Sequence, residues 1–326
     1  MADCVKISLI IPVYHVEDFI LPCLESVARQ TLTEGVECIL VDDCGHDGSM
    51  QIVEDFVGQY KGDVRFIILH HEHNRGLSAA RNTALAAATG EYVYFLDSDD
   101  YLFDHSFASL WQLVERHPHV DVVQGNLYSE DIESNLYAKG RFPEYSDNRK
   151  WIQSGFSRLR IPESACNRLV RRELLIENNL LFQEGWIQED TLWSFSLHDY
   201  VRSIAFCFEP TYYYRKNTNS IMHSSGREKE ALAFVRIANK VYRDYLGRTV
   251  RPYEVRFLEI LAMRIERARD GRNLQDMEAC ELMLFRWITA INSAENRHLR
   301  SIPFRAACRC VAAPLRGLLC LKFKTA

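Results

Sequence analysis

The first hundred residues alternate between short apolar runs and stretches whose apolar positions recur every three or four residues. Lys6-Ile-Ser-Leu-Ile-Ile-Pro-Val-Tyr14 is a near-continuous apolar run closed by proline and an aromatic, the pattern of a strand buried on both faces as it leaves a sheet. From Glu17 to Gln30, Phe19, Ile20, Cys23, Leu24 and Val27 fall on one side of a helix. Glu37 to Asp43 predicts a second strand, and Asp47-Gly-Ser opens a second helix. Asp63 to His70 predicts a third strand, Asn74-Arg75-Gly76 a turn, and Ser78 to Thr89 an Ala-rich helix. The fourth strand, Glu91-Tyr-Val-Tyr-Phe-Leu, runs directly into Asp97. Strands alternating with helices predict a parallel α/β sheet whose ligand crevice lies at the carboxyl ends of the strands.

What interrupts the apolar pattern at that edge is acidic. Asp42 and Asp43 close the second strand, and Asp97, Asp99 and Asp100 place three carboxylates within four positions after the fourth. Hard cations such as Mg²⁺ and Mn²⁺ take one or two protein carboxylate oxygens and fill their other positions with water or phosphate, so strand-end acids suit them. The competing reading is a helix start, where Asp is favoured at the cap and in the first turn.

Further along, Asp104 to His117 predicts a helix with Phe107, Leu110, Trp111 and Val114 on one face, and Val120 to Gln124 a short strand. The polar segment 125–150 reads as a loop or hairpin, and Cys166 to Leu175 as scaffold. Glu189-Asp190 stands directly before a helical pattern and reads, from the residues alone, as a cap and first turn. Ala205 to Arg215 predicts another strand, Lys216 to His223 a polar loop, and from Arg227 onward the pattern is helical with breaks at Gly247 and Gly271. The expected division is a sheet domain over 1–225 and an α-helical region over 226–326. Beyond Glu295 there is no acid, while Arg297, Arg300, Arg305, Arg309, Arg316, Lys322 and Lys324 interleave with apolar residues. Such a tail suits an anionic bilayer surface; its plainer reading is a frayed, solvated helix or a core helix with a charged face, and Pro303 and Pro314 limit it to short helical pieces.

Composition narrows the class. With 47% hydrophobic and 25% charged residues over 326 positions the chain is globular, and a net charge of −5 gives it no overall drive toward nucleic acid. Ten cysteines without a C-x-x-C pair fit a reducing cytosol, and no apolar run is long enough to span a bilayer. The expected location is cytoplasmic, with peripheral attachment to the inner face of the cell membrane through the tail.

Four segments, ISLIIPVYHVEDFILPCLESVARQT, ILVDDCGHDGS, NRGLSAARN and YVYFLDSDD, occur in that order over about residues 6 to 101. Together they resemble the family 2 glycosyltransferases, inverting sugar transferases with a GT-A fold, a Rossmann-like and mainly parallel sheet flanked by helices. That family usually carries DDGS where this chain has Asp42-Asp43-Cys44-Gly45, a departure that keeps both acids. The resemblance implies that Pro12, Tyr14 and Glu17 line the nucleotide pocket, with Tyr14 near the base. It implies that Asp42 or Asp43 accepts a hydrogen bond from the base, and that Arg75 or Arg81 lies near the donor. Asp97 and Asp99 would form the DxD pair, Asp99 being the better candidate for metal contact. Asp190, with Glu189 as its neighbour, would be the catalytic base; Arg215 and Lys216 would neutralise the leaving phosphate, and His223 would complete the metal shell. Each has a plainer reading: Tyr14 as a packed strand-end aromatic, Arg75 and Arg81 as solvated helix-start charges, His223 as an exposed loop residue.

The implied activity is metal-dependent transfer, with Mn²⁺ or Mg²⁺, from a nucleotide-sugar such as a UDP-sugar to a glycan or lipid-linked saccharide acceptor in bacterial surface-polysaccharide biosynthesis. A diphosphate would be repelled by carboxylates alone, so the cation bridges the two. A nicotinamide-binding enzyme would need G-x-G-x-x-G after the first strand, where Pro-Val-Tyr-His-Val-Glu stands instead. The alternative is a non-catalytic module of the same fold that binds a nucleotide-sugar or carbohydrate, a reading that loss of the metal acid or the base would favour.

Overall fold

In the computed structural model, residues 5–129, 142–216 and 226–244 are described, together with 254, 256–258, 260, 261 and 264. The chain divides into two compact units, one of residues 1–156 and 162–217, the other of 157–161 and 218–326.

The first unit is built on β1 (Ile7–Val13), β2 (Val36–Asp42), β3 (Arg65–His70) and β4 (Tyr92–Phe95), joined by α1 (Ile20–Ala28), α2 (Ser49–Gln59) and α3 (Leu77–Ala87). All seven residues of β1 and all four of β4 are buried, which is why they read as unbroken apolar runs. Each fully buried Leu, Ile or Val contributes about 1.5–3 kcal/mol to holding the sheet in its register. Then follow β5 (Tyr101–Leu102), α4 (Ser106–Arg116), β6 (Val122–Tyr128), β7 (Tyr145–Ser146), α5 (Arg149–Ser157), β8 (Arg168–Arg171), α6 (Arg172–Glu177), α7 (Glu189–Leu197) and β9 (Ile204–Tyr213). In the second unit α8 (Gly226–Asp244) buries Ala231, Phe234, Val235, Ala238 and Val241.

The sheet order is β3-β2-β1-β4-β8-β6-β9-β5, with β7 on β9. Pairs β1–β2, β1–β4, β2–β3 and β6–β9 are parallel; β4–β8, β6–β8, β5–β9 and β7–β9 are antiparallel. The sheet is mainly parallel, as expected: β1, β2, β3, β4, β6 and β9 run one way, and among the described strands only β5, β7 and β8 run against them. A strand buried on both faces carries the same apolar run whichever way it points, so the pattern could not give the direction of β8. Likewise β6 runs on to Tyr128, where a shorter strand was expected.

β1 lies between β2 and β4, so the strand order reverses there and a crevice opens at their carboxyl ends. Pro12, buried in β1, pairs with Val41 of β2 beyond the last β1–β4 partner, Ile10 with Phe95, where the ladder needs fewer donors. His223, the breaks at Gly247 and Gly271, and the basic tail lie outside the described residues.

Candidate active site

Acids from one strand end and one helix start converge on a single buried arginine. Arg81 sits on α3 among Ala79, Ala80, Ala84 and Leu85, small and apolar neighbours that let the helix lie close on the sheet, and its side chain is 1% exposed. Its Nη2 donates to Asp97 Oδ1 at 2.8 Å. Nη1 donates to both Glu189 Oε1, at 2.8 Å, and Asp190 Oδ1, at 2.7 Å. The guanidinium also packs 5.1 Å from the centre of Phe182, which stacks on Trp193 of α7. Arg81 is thus not a solvated helix-start charge: it ties the end of β4 to the start of α7. Arg75, by contrast, is exposed and pairs with Glu184 at 3.3 Å.

The acidic pair begins α7, and Gln188 precedes it in the left-handed region at φ 60° with no side-chain cap bond. Asp190 does not cap its own helix. Its Oδ2 instead accepts the Ala165 amide at 3.2 Å, and a β-bridge from Phe95 to Cys166 sets that loop beside the end of β4. Asp190 is 23% exposed and Glu189 10%, so Asp190 is the more accessible of the two. Burial raises the proton affinity of both, with Arg81 opposing it; Glu189 is pushed up to about 7.

After β4 the chain turns so that Asp97 and Asp99 are partly exposed while Asp100 is buried. Asp100 accepts hydrogen bonds from the Tyr212 hydroxyl at 2.6 Å and the Arg215 amide at 2.8 Å. Arg215 also donates from Nε to the Asp99 carbonyl and from Nη2 to the Phe19 carbonyl, with its guanidinium 4.7 Å from the Phe19 ring centre. Sequence reasoning missed this use of Asp100, Tyr212 and Phe19; the run of three acids was the only signal for the first of them.

The two acids after β2 have separate environments. Asp43 is 3% exposed and accepts from the Arg75 and Gly76 amides, both at 2.8 Å, and pairs with His71 Nδ1 at 2.7 Å. It fixes the turn at Gly76, whose φ of 86° is a conformation glycine adopts without a Cβ penalty. Asp42 is 18% exposed, accepts the Cys44 amide and pairs with His70, so of the two it is the one open to a ligand. Tyr14 is 43% exposed just past β1, and Glu17 accepts the Gly48 amide at 2.7 Å.

Residues 8–178 match the model of glycosyl transferase family 2, more than half of the chain. The chain belongs to that family. Among curated relatives it is 34% identical over 224 residues to the uncharacterized glycosyltransferase EpsJ of Bacillus subtilis, an alignment covering 66% of this chain and 62% of EpsJ. It is 28% identical to the glycosyltransferase GlyG of Streptococcus pneumoniae over 90% of this chain and 99% of the relative. The chain thus spans less than two thirds of EpsJ but nearly the whole of GlyG. Among solved structures, Staphylococcus aureus TarS residues 1–349 in complex with UDP-GlcNAc superposes with a TM-score of 0.61 at 25% identity, covering 96% of this chain and 86% of that one. The fold of this family 2 member is GT-A. Among the described residues, no helix is long and apolar enough to cross a membrane.

The acid cluster has a consequence for stability. Burial, reinforced by the charges of Asp97 and Asp99, pushes the Asp100 carboxyl up to about 8. The fold therefore holds a proton that the unfolded chain releases near its ordinary value of about 4. Its stabilising contribution is complete below that value and is lost as pH rises through about 8. In chelator-containing buffer the melting temperature is expected to fall between pH 6 and pH 9, and Asp100→Asn to flatten that fall. Equal slopes for the two proteins in thermal melts would contradict the assignment.

Proposed function

We propose that this chain is a metal-dependent inverting glycosyltransferase that moves a sugar from a nucleotide-sugar, a UDP-sugar, to a glycan or lipid-linked saccharide acceptor in surface-polysaccharide assembly. The observation that carries the reading is the Arg81 bridge, which holds strand-end Asp97 and helix-start Asp190 in one rigid cluster. The TarS complex with UDP-GlcNAc supports a UDP-sugar donor. Similarity at 30% identity to a poly(ribitol-phosphate) beta-glucosyltransferase of Bacillus spizizenii supports a polymeric surface acceptor.

The residues at the end of β4 fit a hard divalent cation, Mn²⁺ or Mg²⁺. Asp97 gives one oxygen to Arg81 yet keeps 36% of its side chain exposed, and Asp99 stands two positions on. Burial pushes the Asp100 carboxyl up first and the charges of Asp97 and Asp99 add to it, a local negative charge that a cation would offset. A cation held by Asp97 and Asp99 supplies neutralisation of the diphosphate leaving group. Tyr14, Glu17 and Asp42 form the nucleotide side of the site, with Asp42 on the base, Asp43 shaping the loop behind it and Pro12 supporting from within β1. Arg75 and Arg215 stand as the cations on the diphosphate side. Asp190 takes the proton of the acceptor hydroxyl as its oxygen attacks the anomeric carbon, and a carboxylate whose two oxygens are each held by one donor still has lone pairs to accept it. The basic tail beyond Arg297 is the part that would meet an anionic membrane at the inner face of the cell.

Calorimetry of UDP binding tests the donor half of this reading. Wild type is expected to bind UDP at least tenfold more tightly with Mn²⁺ than with chelator, and Asp99→Ala to lose that gain while melting normally. Equal affinity in both conditions for wild type would reject metal-assisted donor binding.

A further inference from the structure

Arg168 of β8 is completely buried, and nothing in the mechanism above uses it. Its Nη2 donates to the carbonyls of Pro162, at 2.6 Å, and Ser164; its Nη1 donates to Ser194 Oγ of α7 at 3.3 Å. These carbonyls belong to the short loop that ends in Ala165, whose amide holds Asp190 Oδ2. The same loop is fastened to α7 twice more, by Ser194 Oγ donating to the Glu163 carbonyl at 2.6 Å and Thr191 Oγ1 donating to the Glu163 carboxylate at 2.8 Å.

Desolvating a guanidinium costs several kcal/mol, and an apolar side chain would fill this position at less cost. An apolar side chain could not grip two carbonyls with one nitrogen and reach a helix with another, nor place positive charge behind the part-buried Asp190 carboxylate. The groups around Asp190 are Arg81 from α3, Asp97 after β4, Glu189 on its own helix, and Cys166 and Arg168 from the β8 side. Of these, the two arginines favour the ionised form that a base needs, as does the Ala165 amide of the loop that Arg168 grips.

We propose that Arg168 is a positioning residue for sugar transfer: by clamping residues 162–164 it fixes the Ala165 amide on Asp190 and holds the base in one orientation. The inference rests on Asp190 being the base. It assigns the guanidinium two separable parts, a fork that orders the loop and a charge that favours the ionised form of Asp190.

The test measures steady-state UDP release from UDP-GlcNAc and UDP-glucose across pH, with melts to correct for folded protein. Arg168→Gln, which keeps a donor and loses the charge, is expected to lower kcat about tenfold with the donor KM within about twofold, and to move the acidic limb of the kcat profile to higher pH. Arg168→Lys keeps the charge and loses the fork, so its limb stays in place while kcat falls severalfold. If Arg168→Gln does not fold, the lysine variant still decides: kcat per folded molecule equal to wild type overturns the proposal. Lower melting temperatures with kcat and limb unchanged in both variants would make Arg168 merely structural and also overturn it. Asp190→Asn is assayed alongside. If it retains turnover, the base assignment fails and this inference falls with it; if it loses turnover while both Arg168 variants keep theirs, the Arg168 role alone is overturned.

Discussion

Replacing Arg81 by Met is expected to lower stability by about 3–5 kcal/mol, because it leaves Asp97, Glu189 and Asp190 facing one another without their shared cation. For a unit of this size each kcal/mol shifts the melting temperature by about 2–4 °C, so a fall on the order of 10 °C should be seen. Asp97 is partly solvated and accounts for the smaller share; Glu189, at 10% exposure, has least access to water as a substitute. Arg81→Lys keeps one charge but cannot span acids on both sides of a planar fork, so it should recover part of the stability and little of the turnover. Thermal melts of wild type and both variants check this, and a melting temperature for Arg81→Met within about 2 °C of wild type would remove Arg81 from its central place.

Much of the framework was legible in the apolar pattern because burial dictates it. β1, β2 and β4 stand where the runs predict, and α1, α3 and α4 where three- and four-residue spacing predicts, with ends shifted by a few residues. Direction was not legible: β8 and β9 carry ordinary apolar residues, and their pairing with β4 and β6 is decided by tertiary contacts. At the site, residue type marked the acids, but their division of labour depends on distances that spacing does not encode. Asp42 and Asp43 are adjacent in sequence, yet one is nearly closed off by two amides and a histidine while the other keeps an open edge. Arg81 and Arg75 looked alike as helix-start cations; one is buried among the three carboxylates of Asp97, Glu189 and Asp190, and the other is exposed beside Glu184. Arg168 gave no signal at all, since it lies in a segment whose Leu and Val positions are those of plain core.

The second large effect is expected at Asp190. Asp190→Asn keeps the shape of the side chain and an oxygen for either Arg81 or the Ala165 amide, so the fold and the donor side, which depends on Asp97 and Asp99, should persist. What it removes is the proton acceptor, and loss of a general base costs about 10²–10⁴-fold in rate. Glu189→Gln separates the pair. Glu189 is the less exposed, so its loss should weaken the hold on Arg81 and shift the pH profile, with a rate loss smaller than that of Asp190→Asn. If the two variants exchanged these behaviours, the base would be Glu189.

The most direct measurement is single-turnover consumption of a UDP-sugar by wild type and Asp190→Asn, taken with UDP calorimetry in Mn²⁺ on the same preparations. The expected result is a rate at least a hundredfold lower for Asp190→Asn with UDP affinity within about threefold of wild type. Turnover of Asp190→Asn within threefold of wild type would contradict the account of the site.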